Sequence, residues 1–153
     1  MRWGSLLVVL SLVVACAPAP KPRTFVDTIE FNAPFDRVWE AVIETFKERD
    51  WLVAEMKESA GLVATDWIKT EDMSLFDCGD AGLSYIFIKP LLRINVSVER
   101  KSNELQSVRV ACSFMASRQY LLDYSLSPTK HECPSTGKLE QRILFSIRQK
   151  LSR

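Results

Sequence analysis

Four cysteines and one histidine are the residues of this chain best suited to chemistry. Cys16 closes an apolar run near the start. Cys78, Cys112 and Cys133 are spread through the rest, and the single histidine, His131, lies two residues before Cys133. A metal site needs three or four converging ligands, and neither a C-x-x-C nor an H-x-x-x-H pair occurs. Asp72, Asp77 and Asp80 do not follow a calcium-loop spacing. Cys133 with His131 could be drawn as nucleophile and base, but two residues apart on one loop they hold that geometry poorly. There is no G-x-S-x-G elbow and no glycine-rich phosphate loop, and the chain has only five glycines. The pattern therefore points to no enzyme, no cofactor and no metal.

Met1-Arg2 is a short positive start, residues 3–14 are apolar, and Ala15 is a small residue just before Cys16. Charge, apolar core and small-residue cleavage site in that order read as a signal peptide over residues 1–15. The run is too short for a span of about 18 or more apolar residues, and Pro18, Pro20 and Pro22 follow at once. The cysteine at the cleavage boundary resembles the lipobox of bacterial lipoproteins. That resemblance implies Cys16 acylated and first in the mature chain; the alternative is ordinary secretion that leaves Cys16 as a thiol. Ala17 follows in place of aspartate, which by the enteric sorting rule implies the outer membrane, with the domain facing the periplasm. Residues 16–23 then form a proline-rich tether, a semi-rigid spacer of about 3 Å per residue. Membrane contact is expected through the lipid.

Residues 24–153 suit one domain. Losing Arg2 with the signal leaves 19 basic against 19 acidic residues. That balance gives no electrostatic case for nucleic acid.

The elements that must hold these residues follow from periodicity. Residues 24–31 predict a first strand. Asn32 then offers a helix cap and Pro34 a first-turn proline. Phe35, Val38, Trp39, Val42, Ile43 and Phe46 recur at helical spacing. Residues 51–56 and 62–68 predict a hairpin around a turn ending in Gly61. Leu92, Ile94, Val96 and Val98 alternate with polar residues, the clearest strand in the chain. Val108, Val110, Cys112 and Phe114 face the same core. Residues 137–151 predict a closing helix with Leu139, Ile143, Leu144, Ile147 and Leu151 as its stripe. Ser135 or Thr136 can cap it. The expected fold is α+β: an antiparallel sheet with the N-terminal and C-terminal helices packed on one face, in the order β-α-β-β-β-β-α.

Residues 69–91 and 117–134 read as irregular, longer than the usual 4–6-residue connections of compact domains (about that length), though 83–88 is a candidate strand. Cys78 and Cys133 both fall in these loops, whereas Cys112 faces the core as a small hydrophobe. In an oxidising compartment Cys78–Cys133 is the natural disulfide. The alternative pairs Cys112 with one of them. The loop aromatics, with Asp72, are candidates for partner contact: Asp72, Phe76, Tyr120 and Tyr124 lead that set. The same aromatics can instead pin each loop to its own domain.

Asn32-Ala33-Pro34-Phe35-Asp36-Arg37-Val38-Trp39 resembles the strand-to-helix opening of helix-grip domains. Ala60-Gly61-Leu62-Val63-Ala64-Thr65-Asp66-Trp67 is similar to the returning strand of small periplasmic lipoprotein modules, including the BamC-type accessory lipoproteins of outer-membrane β-barrel assembly. The resemblance implies a helix-grip-like domain and an accessory, non-catalytic role with an envelope protein partner. BamC-type lipoproteins carry two such domains, and this chain has room for one. Helix-grip domains elsewhere hold apolar ligands between sheet and closing helix, so a small-ligand carrier or a weakly marked enzyme is the alternative.

Overall fold

The computed structural model describes residues 23–123 and 126–153. The signal peptide, Cys16, the tether up to residue 22, and Tyr124 lie outside the described residues.

The central feature is a hairpin of two 16-residue strands, β5 (Tyr85–Arg100) and β6 (Leu105–Tyr120). Around it lie β1 (Thr28–Asn32), α1 (Phe35–Glu48), β2 (Val53–Lys57), β3 (Leu62–Thr65), β4 (Ile68–Lys69), β7 (Thr129–Cys133) and α2 (Lys138–Leu151). All pairs are antiparallel, in the order β1-β6-β5-β3-β2, with β4 also on β5 and β7 also on β6. Val96, Val98, Val108 and Val110 join Val38, Val42, Phe46, Ile143 and Ile147 in one core. Arg93, Ser97, Glu99 and Arg109 leave the other face of the sheet wet. The α+β class with a helix at each end is as the periodicity predicts.

The strand count differs: the described residues form seven strands, not five. β4, β7 and the outer part of the hairpin all fall within or against the segments expected to be irregular. For the outer part of β5 the reason is a bulge. Ile88 opposes Ser117 and Leu91 opposes Met115, so Lys89 and Pro90 together face one residue of β6. Lys89 takes a φ of 51° there. An extra residue reverses which side chains share a face, so Tyr85 and Phe87 lie on the same side as Leu92 and Ile94. A strict period of two cannot detect such a strand.

Helix α1 buries Phe35, Val38, Trp39, Val42 and Phe46 as its spacing predicts. Its cap is not Asn32, which ends β1 opposite Leu105. Pro34 takes the cap position, and its carbonyl accepts from Val38 N at 3.2 Å. Neither Ser135 nor Thr136 caps α2 by side chain; Gly137 occupies that position at φ 82°. Ser135 Oγ accepts from Gly137 N at 3.0 Å and donates to Glu140 Oε2 at 2.9 Å. The two helices meet where Lys150 Nζ pairs with Glu44 at 3.6 Å and with Glu48.

Helices of 14 residues are about 21 Å long, whereas a 16-residue strand runs to about 50 Å. The hairpin therefore outruns the helical layer that covers it. Its outer end needs cover from elsewhere.

Candidate functional site

That cover is the segment between β4 and β5, fastened by a disulfide between Cys78 and Cys133. Among the described residues Cys112 is the remaining thiol. The chain on either side of the bridge is sewn down as well. Asp77 N donates to Pro134 O at 2.9 Å, and Thr136 N to Leu75 O at 2.9 Å. Phe76 pairs with Ser135 as an isolated bridge and stacks on Phe114 with centroids 5.1 Å apart.

Phe76 is consequently a core residue, 5 % exposed. It is not a docking residue: its ring is spent on holding the loop to its own domain. Asp72 is exposed but engaged. It caps the short turn Met73–Leu75 by accepting from Ser74 N at 3.0 Å, and Arg142 Nη1 lies 3.4 Å from its other oxygen. Hydrogen bonds from Ser74, then the Arg142 guanidinium, hold its carboxyl below the usual range. Tyr120 is half-buried, opposite Tyr85, with rings 5.1 Å apart. Arg118 stacks over Tyr85 at 4.0 Å and donates from Nε and Nη2 to Ala81 O, at 3.2 and 2.7 Å. Of the four residues expected to form one interface, the three described ones are not brought together: Phe76 is inside, Asp72 faces α2, and Tyr120 is at the hairpin end.

Three surface features remain. The first is the open end, or tip, of the hairpin, opposite its turn at residues 101–104, where Leu83, Ile86, Leu122 and Leu126 are exposed. Leu121 N donates to Ser84 O at 2.8 Å, and Gln119 Nε2 to Leu126 O at 3.3 Å, which gathers these segments. The second is a groove of about 680 Å³ between α1 and the edge strand β2. Trp39, Ile43 and Met56 supply its apolar part and Glu40, Glu44, Glu58 and Lys47 its rim. Trp39 is buried in the core and also borders this groove, while Glu40 and Glu44 lie on the exposed side of α1. The helical stripe did contain the signal: Ile43 sits at its margin, half-buried, and the stripe is wider than the sheet covers.

A further groove of about 580 Å³ is lined by residues that include Trp67, Cys112, Phe114, His131 and Cys133. It follows from a gap on the outer edge of β6. The β1 ladder ends near Val110, whose N donates to Asp27 O at 2.8 Å, and β7 begins at Phe114. Cys112 N lies in the gap and donates instead to the buried Glu140 Oε1 at 3.3 Å. Burial and then the Glu140 carboxylate push the Cys112 thiol well up. Because the thiolate is the nucleophile, this sulfur is a packing group. At pH 8 its alkylation by iodoacetamide is expected to be at least about tenfold slower in the folded chain than in guanidinium. Equal rates would show that Cys112 is open to solvent. His131 packs its ring on Phe87 at 5.2 Å, and the sulfur two residues on is bound in the disulfide. That removes the nucleophile from the Cys133–His131 pair.

Among the described residues no cluster of three or more His, Cys, Asp or Glu side chains could hold a metal ion, and no helix is long and apolar enough to cross a membrane. No protein-family model matches the chain, and no curated protein is significantly similar to it.

Proposed function

We propose that this chain is a lipid-anchored, non-catalytic envelope lipoprotein that holds a protein partner in the groove between α1 and β2. The groove itself carries the reading. It joins an apolar floor of Trp39, Ile43 and Met56 to a rim with three glutamates and one lysine. It lies beside the outer strand of the sheet, since β2 pairs with β3 alone. Such an edge accepts an added strand, while the pocket beside it selects a side chain. A segment with an apolar residue flanked by Lys or Arg suits both features.

The lipobox-like boundary at Cys16 supports acylation there, and Ala17 supports the outer membrane with the domain in the periplasm. The likeness to BamC-type helix-grip domains supports an accessory role in assembly. A ligand carrier needs a cavity of about 300 Å³ or more between the sheet and α2. Leu139, Ile143, Leu144 and Ile147 are buried at that place, which favours the docking reading.

Photoreactive residues placed in cells at Met56 and Glu44 test the groove against Arg109 on the open sheet face. A discrete protein adduct is expected from the first two only. Ile43→Arg, which puts a cation into the floor, should cut its yield about tenfold, since losing one buried apolar side chain costs about 1.5–3 kcal/mol. Adducts of equal yield from Arg109, or adducts indifferent to Ile43→Arg, would sink the proposal.

A further inference from the structure

The exposed end of the long hairpin has no part in that groove. It lies at the other end of the sheet: the β2–β3 turn packs against Val98 and Arg100 at the finish of β5, whereas the tip is where β5 begins. Leu83 is 103 % exposed, Leu122 79 % and Leu126 52 %, with Ile86 beside them. Single surface leucines need no explanation, but a contiguous exposed patch does. This one is held out stiffly. The disulfide, the Phe76–Phe114 stack and the Arg118 bonds to Ala81 fix the segment that leads to Leu83, and the Leu121 N–Ser84 O and Gln119 Nε2–Leu126 O bonds tie Leu122 and Leu126 to the same end. Behind the leucines stand Tyr85 and Tyr120, rings with an apolar body and a polar end, of the kind that sits at the headgroup level of bilayers. Lys89 and Lys130 are exposed along the flanks. Asp80 is turned into its own loop, accepting from Gly82 N at 2.8 Å.

The place where the chain leaves the fold decides what covers the patch. Arg23 pairs with Asp77 at 3.2 Å, next to the disulfide. Leu83 follows Asp77 in the same loop. Between Cys16 and Arg23 the chain can reach at most about 25 Å even when fully extended. A bilayer gripped through Cys16 therefore lies within reach of this end of the domain.

We propose that the hairpin tip is a second membrane contact, in which Leu83, Ile86, Leu122 and Leu126 dip into the headgroup–acyl boundary of the bilayer. This placement rests on the reading of Cys16 as the lipid anchor. Acyl chains hold the protein at the surface; the tip fixes its orientation. With the tip down, the α1–β2 groove faces away from the lipid, open to a partner.

The test uses the full processed chain in vesicles of phosphatidylethanolamine and phosphatidylglycerol with brominated acyl chains. Leu83→Trp reports from the tip and Glu104→Trp from the turn at the opposite end of the hairpin, both against the unsubstituted chain. Bromine should quench the emission of Leu83→Trp and leave Glu104→Trp at background. Adding Leu122→Asp or Leu126→Asp to Leu83→Trp should weaken the contact equilibrium about tenfold for each leucine lost. Equal quenching at the two positions overturns the proposal. So does a photoreactive residue at position 83 that traps a second copy or another protein while bromine leaves the tip unquenched. Intact mass of the same sample tells the two readings apart. Without acyl groups the anchor reading fails alone, and the tip is judged by the same quenching on chain mixed with vesicles: tip-selective quenching sustains it, and equality overturns it.

Discussion

Replacing Cys78 and Cys133 together with serine is expected to cost about 4 kcal/mol of folding stability, and roughly 15 °C in midpoint temperature. The bridge closes 55 residues that include the entire β5–β6 hairpin. In the chain-entropy model a loop of that length confers about that much by restricting the unfolded chain. The folded state loses little geometry at once, because Phe76 on Phe114 and the Asp77–Pro134 and Thr136–Leu75 backbone bonds persist. The effect should therefore appear in the denaturation midpoint. Near-ultraviolet dichroism of the folded variant should change little. A loss under about 1 kcal/mol, the scale of an ordinary point substitution, would mean that the bridge adds nothing the loop contacts do not already supply.

Gly61→Ala is the second large effect, at least about 3 kcal/mol. Gly61 stands at φ 62° in the turn between β2 and β3, in the left-handed region that L side chains avoid. A Cβ there would lie 2.0 Å from Val98 O and 3.0 Å from Val98 C. The obstacle is backbone and cannot rotate aside. It is also the strand to which the turn is bonded, since Val98 N donates to Gly61 O at 2.7 Å. Relief requires opening β3 from β5, which uncovers Val63 and Val96 in the core. Gly82→Ala is the control. Its φ is 85°, but the nearest atom to a Cβ is Arg118 Nη2 at 3.7 Å. Backbone strain alone should cost about 1 kcal/mol there. Urea midpoints of the two variants, read at unchanged slope, check the difference. Equal costs would mean that strain, and not the approach of Val98, dominates at Gly61.

Both effects depend on features that the sequence shows unevenly. The hairpin turn ending in Gly61 is visible as composition, because glycine between two apolar runs is a local signal. That its Cβ would strike Val98 is not visible, because the contact joins residues from two strands. Phe76 illustrates the same limit. An aromatic in a long, polar segment reads equally as an interface residue or a core anchor. The choice was made by Phe114, 38 positions away and 5.1 Å distant. Glu140 reads as a dipole-complementing residue early in a helix. It proves to be a buried acceptor for Cys112 N, because β1 and β7 leave a gap on β6 that a one-dimensional pattern does not contain.

The sequence by itself determined the class of the fold, both helices and the inward faces of the middle strands, and it favoured Cys78–Cys133 over a pairing through Cys112, which the structure then settled. Those follow from periodicity and from the exclusion of Cys112 by its strand, which are local properties. The tertiary structure alone decided the length of the hairpin, the two added strands, the burial of Phe76 and the shape of the α1–β2 groove. Each of these arises where distant segments meet: a bulge that shifts register, an edge left open, a helix stripe wider than the sheet beneath it. Side-chain period reports which face a residue takes within its own element. It carries no information on what another element brings to that face.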